Sequence, residues 1–117
     1  METHAVRPVV WMGDSRRVLR SFPRAVREEI GFALYQAQKG FKHVLAKPLK
    51  GFGSGVFEIV SDASSDTYRA VYLVRLAGRV YVLHVFQKKS KSGIATPKRE
   101  LELIRQRLKR AIEIHQQ

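Results

Sequence analysis

Three apolar runs in the middle of the chain, Gly55 to Ser61, Tyr68 to Ala77 and Arg79 to Gln87, decide most of what it can fold into. Each is rich in Val, Tyr and Phe, whose branched or aromatic side chains suit a pleated surface. The polar stretch Asp62 to Asp66 separates the first two, and Ala77-Gly78 joins the last two as a tight antiparallel hairpin. The expectation is a three-stranded antiparallel meander.

On either side of that block the periodicity changes. Val9 to Met12 is a short strand-like run closed by Gly13-Asp14-Ser15, where Asp14 or Ser15 can cap a helix. From Ser15 to Phe22 the apolar residues Val18, Leu19 and Phe22 alternate with Arg16, Arg17 and Arg20, so one face is apolar and one basic. Pro23 suits the first turn of a second helix, in which Val26, Ile30, Ala33, Leu34 and Ala37 recur at helical spacing until Gly40. Residues 39 to 55 lose the pattern and carry Lys39, Lys42, His43, Lys47 and Lys50 without one carboxylate, which reads as a basic loop. Thr96-Pro97 is a cap and first-turn pair for a final helix with an apolar stripe of Leu101, Ile104, Leu108 and Ile112. The order β, α, α, meander, α predicts an α+β fold, with residues 1–117 as one domain.

Charge narrows the function. Lys and Arg number 22 against 10 Asp and Glu, a formal +12 that calls for a polyanionic partner: nucleic acid, an anionic membrane surface or an acidic protein. Between residues 87 and 110 nine cations stand against Glu100 and Glu102 alone. Lys88, Lys89 and Lys91 fall where a strand ends near a glycine, a place where side chains and backbone converge on a phosphate. The absence of cysteine excludes a disulfide framework, a thiolate nucleophile and sulfur-ligated zinc. His4, His43, His84 and His115 show no metal-ligand spacing, so no metal and no cofactor are expected. Gly51-Phe52-Gly53-Ser54-Gly55 lacks the Lys-Ser/Thr ending of a nucleotide-binding loop. No apolar run approaches the roughly 18 residues of a membrane span, and the first residues lack a secretory apolar region, so a cytoplasmic protein is expected. The apolar stripe of the final helix is better used in a core than on a membrane surface.

Strict alternation in the last strand places His84, Phe86 and Lys88 on one face and Tyr81, Leu83, Val85 and Gln87 on the other. In the strand before it Arg69, Val71, Leu73 and Arg75 share one face, and Tyr68, Ala70, Tyr72, Val74 and Leu76 the opposite one. Which face meets the helices is open at this level. His84 fits two roles, a buried histidine with a satisfied hydrogen bond or a general acid or base.

Lys47-Pro48-Leu49-Lys50-Gly51, Gly55-Val56-Phe57-Glu58-Ile59, Tyr68-Arg69-Ala70-Val71-Tyr72 and Phe86-Gln87-Lys88-Lys89-Ser90, followed by Thr96-Pro97, occur in that order over nearly the whole chain. Together they resemble the RelE/HigB-type toxins of type II toxin–antitoxin modules, and most closely the phage-derived HigB-like branch of the RelE/ParE superfamily. The resemblance implies a RelE-like fold with a helical hairpin and C-terminal helix around a small antiparallel sheet. It implies an endoribonuclease cutting mRNA on the ribosome, and a neutralising antitoxin, commonly a helix-turn-helix protein.

Carried over residue by residue, the resemblance puts Arg69 at the arginine of the Tyr-Arg-x-Val-Tyr strand and Lys88 near the cation that ends the last strand. Lys50, just before the loop glycine, and Lys89 become phosphate contacts; Lys47, Arg75, Phe86 and Lys91 complete the expected RNA-binding set. Where RelE has two lysines on the first meander strand, this chain has Glu58 and Val60, and Glu58 fits two roles, a base or a structural or surface carboxylate. In RNA cleavage by 2′-OH attack, Arg69 would stabilise charge, Lys88 or Lys89 would donate a proton, and His84 or Glu58 would be the base. Tyr72 or Phe86 would stack on an unpaired base. A gyrase-poisoning ParE-type toxin and a non-catalytic nucleic-acid-binding module are the alternatives.

Overall fold

A computed structural model describes residues 6–63, 65–74, 76, 78–88 and 96–116. Eight elements follow in order: β1 (Val9–Trp11), α1 (Ser15–Arg20), α2 (Arg24–Gln38), β2 (Ala46–Pro48), β3 (Val56–Ala63), β4 (Asp66–Leu73), β5 (Val80–Lys88) and α3 (Lys98–His115). The strands form one five-stranded sheet in the order β1-β5-β4-β3-β2, antiparallel except for β1, which lies parallel to β5. The α+β class and the central meander are as expected.

Both faces of the sheet are covered, which answers the question the alternation left open. On one face Leu19 and Phe22, together with Val26, Ile30, Ala33, Leu34 and Ala37 of α2, pack on Ile59, Tyr68, Ala70, Tyr72, Val80, Val82 and Val85. On the other, Ile104 and Ala111 of α3 pack on Val56, Val71, Leu73, Tyr81 and Leu83, joined by Met12 and Phe52. The meander strands are apolar on both sides because they sit between two helical layers.

Several boundaries move. The basic loop contains β2, an edge strand paired with β3, so that Lys47 lies opposite Glu58. The hairpin at Ala77-Gly78 is wider than expected, since β4 ends at Leu73 and β5 begins at Val80. Val74 and Leu76, which read as strand continuation, pack instead into the two opposite cores. Pro97 occupies the capping position of α3, with extended φ and ψ and no side-chain cap, one residue later than the Thr96 cap that the sequence suggests. The stripe of α3 turns after Leu108 to Ala111 and Ile114 rather than Ile112, because 3.6 residues per turn drift off a strict four-residue step. Among the described residues no helix is long and apolar enough to cross a membrane.

Candidate functional site

The last strand does not keep strict alternation. Val71 pairs with His84 but Tyr72 pairs with Val82, so Leu83 is the extra residue of a β-bulge. Tyr81 and Leu83 therefore share the α3 side with His84, whereas sequence alternation had put them on the opposite face from it. Past the bulge, Val85 returns to the α1/α2 side and Phe86 and Lys88 continue the His84 face.

His84 is held from two sides by α3. Arg107 Nη1 lies 2.8 Å from His84 Nδ1, and His84 Nε2 lies 2.6 Å from Glu100 Oε1. A guanidinium only donates, so Nδ1 accepts, the ring proton sits on Nε2, and Nε2–H donates to the Glu100 carboxylate. Arg107 also donates from Nη1 to the Leu83 carbonyl at 3.2 Å and pairs through Nη2 with Asp14 Oδ1 at 3.1 Å. With its side chain 5% exposed and both nitrogens engaged, His84 fastens β5 to α3.

Further along the same face lies a charged track. Lys47 on β2 stands opposite Glu58 on β3. Glu58 Oε2 accepts a hydrogen bond from Arg69 Nη1 at 3.1 Å, with the two side chains 13% and 17% exposed. Arg69 stands opposite Phe86, and Lys88 opposite Thr67, one diagonal step from Arg69 and roughly 7–8 Å away across the ladder. Cross-strand partners point to the same side of a sheet, so four strands bring Lys47, Glu58, Arg69, Phe86 and Lys88 onto one surface. Arg69 Nε is buried and has no hydrogen-bond partner among the described residues. Lys88 is buried at the end of β5.

Other expected residues are placed elsewhere. Tyr72 lies on the opposite face, buried in the α1/α2 core and stacked on Phe57 with ring centroids 5.6 Å apart. Burial pushes its phenol up to about 12. The structure does not bring it to Arg69. Phe86 is 5% exposed and its ring stacks on His84 at 5.2 Å, so the ring face expected for a base is taken by the imidazole. Lys50 is exposed just after β2. Lys89, Arg75 and Lys91 lie outside the described residues. No group of three or more carboxylates and imidazoles gathers among the described residues.

Sequence reasoning missed Asp14, Glu100 and Arg107. Asp14 read as a helix cap and Arg107 as part of a basic helix face, and they meet only through the tertiary fold. Gly13 is a partial signal: at φ +55 it takes a conformation that favours glycine, and a Cβ there would stand 2.5 Å from Arg107 Cζ.

The family model described as "Phage derived protein Gp49-like (DUF891)" matches residues 17–109. No curated protein sequence matches the chain. Among solved structures, the chain is similar to one from the crystal structure of the toxin-antitoxin complex RelBE2 from Mycobacterium tuberculosis. That likeness has 18% identity and a TM-score of 0.49, over 77% of this chain and 100% of that one.

Proposed function

This chain belongs to the phage-derived Gp49-like family, a family of RelE/HigB-type toxins, and we propose that it is the toxin of a type II toxin–antitoxin module that cuts mRNA on the translating ribosome. The observation that carries the reading is Arg69: a largely buried guanidinium with one donor on Glu58 and its Nε unmet among the described residues. An unmet buried donor costs about 1–3 kcal/mol, which a binding function for a phosphate oxygen would explain.

In this reading the track divides the work of RNA cleavage. Glu58, already hydrogen-bonded to Arg69, takes the proton of the 2′-OH, whose oxygen attacks the adjacent phosphorus. Arg69 meets the negative charge that grows on the phosphate oxygens, where a guanidinium serves as a fixed fork of donors. Lys88 delivers a proton to the departing 5′-oxygen as its bond to phosphorus breaks, leaving a 2′,3′-cyclic phosphate and a 5′-OH. Lys47 and Lys50 hold flanking phosphates, with Lys89, Arg75 and Lys91 as further phosphate contacts. His84 drops out of the base role because both of its nitrogens are engaged by α3. The partners are mRNA, the ribosome and a neutralising antitoxin of the helix-turn-helix kind.

The test is induced expression of wild type and Arg69→Ala in bacteria with new mRNA 5′ ends mapped during growth arrest. Codon-phased cuts that appear with wild type alone are expected. Growth arrest without new ends would remove the ribonuclease and favour a gyrase target, and intact RNA with normal growth would leave a binding protein.

A further inference from the structure

All the large hydrophobic side chains exposed among the described residues lie toward one end of α2 and the segments beside it: Val6, Phe32, Tyr35, Phe41 and Val44, from 45% to 79% exposed. They are linked in space. Lys39 Nζ sits 4.8 Å from the Tyr35 ring centre and 6.0 Å from that of Phe41, and Phe32 meets His43 edge-on at 5.5 Å. The segment that carries Val6 is tied to the end of α2, where Arg7 N–H donates to the Gln38 carbonyl and Gln38 Nε2 donates to the Arg7 carbonyl. Next to Phe41 opens a cavity of about 180 Å³ with Ala37, Phe57, Tyr72 and Val74 on its apolar side and Arg7 and Lys42 among its lining. Tyr72 belongs to the sheet face away from Arg69, so this surface and the charged track lie on opposite sides of the sheet.

Single exposed apolar residues are ordinary, but a cluster beside a preformed apolar cavity marks a docking surface. We propose that this surface binds an acidic amphipathic segment of a partner protein, with one apolar side chain seated in the cavity and its carboxylates facing Arg7, Lys39 and Lys42. Charge complementarity selects the partner: Arg7, Lys39 and Lys42 stand at this surface, and residues 39 to 55 hold no carboxylate. The aliphatic members select a protein over RNA. Exposed rings and cations also suit stacked bases, but Val44, at 79% exposed, and Val6 gain from burial against apolar side chains rather than from phosphates. Docking here leaves Arg69 uncovered. The surface chemistry does not depend on RNA cleavage; within the toxin–antitoxin reading its occupant is the antitoxin.

The test measures fluorescence anisotropy of three labelled probes on the full chain at physiological salt. The probes are a synthetic helix of Glu with Leu at i, i+3, i+4 and i+7, the same peptide with Gln in place of Leu, and an oligouridylate. The Leu peptide is expected to bind about tenfold tighter than the Gln peptide. Phe41→Ser and Val44→Ser, both at exposed positions and checked for fold by circular dichroism, should each erase most of that difference. Arg110→Ser on the exposed side of α3 should preserve it. Equal binding of the two peptides would overturn the proposal, as would oligouridylate that displaces the Leu peptide and itself weakens with Phe41→Ser. RNA cleavage by Phe41→Ser should match wild type. A chain that binds the Leu peptide yet leaves RNA intact in cells overturns the cleavage reading alone, and one that cuts RNA but ignores the leucines overturns this inference alone.

Discussion

Arg107 donates to Nδ1 of His84 at 2.8 Å and thereby fixes the imidazole proton on Nε2, where Glu100 accepts it. One helix thus grips a single β5 side chain from residues seven apart, about two turns along the same face. Replacing His84 with Ala takes one acceptor from a mostly buried guanidinium, which keeps Asp14 and the Leu83 carbonyl, and removes the imidazole donor from a mostly buried carboxylate. The expected loss is about 2–4 kcal/mol of stability, read as a lower midpoint in urea unfolding. RNA cleavage per folded molecule should persist; its complete loss at unchanged stability would return His84 to the chemistry.

Gly13 depends on the same contact. Gly13→Ala imposes a left-handed backbone cost of about 1 kcal/mol and drives a methyl into the Arg107 guanidinium, which Asp14, Leu83 and His84 hold in place. The substitution should destabilise wild type by more than it destabilises an Arg107→Ala background. Additive losses in a double-mutant cycle would show that the side-chain collision contributes nothing.

Glu58→Gln tests the proposed base apart from the structure. The amide oxygen can still accept from Arg69 Nη1, so the fold should hold, while transfer of the 2′-OH proton is lost. RNA cleavage should fall about 10²-fold or more. Arg69→Lys keeps a charge without the planar fork and should also lower the rate, with little change in RNA affinity. Wild-type cleavage rates in Glu58→Gln would assign the base elsewhere.

Alkaline titration reports on Tyr72. Its phenol is pushed up to about 12 by burial, whereas a phenol in the unfolded chain ionises near 10. Between those values the unfolded chain gives up a proton that the folded chain keeps, so stability is complete below about pH 10 and falls as pH rises towards 12. Tyr72→Phe should flatten that decline. The same slope in wild type and variant, followed by urea midpoints across the window, would exclude Tyr72 as its source.

The sequence by itself determined the central strands, the two N-terminal helices and α3, because alternating and 3.6-residue apolar patterns are local properties that the final packing reinforced. It also singled out Arg69, Glu58 and Lys88, since residue type and strand position carried the resemblance. Tertiary structure alone decided the rest. The bulge at Leu83 shifts the β5 faces by one residue, and its backbone irregularity leaves no compositional trace. Edge strand β2 is three residues long and is recognisable only from its pairing with β3. Tyr72 and Arg69 stand three residues apart in one strand and so point to opposite layers, and only the second helical layer shows that both sides are covered. Glu100, Arg107 and Asp14 converge on or around His84 from distant positions in the chain. A hydrogen-bonded cluster of that kind is a product of packing, which pairwise residue spacing does not encode.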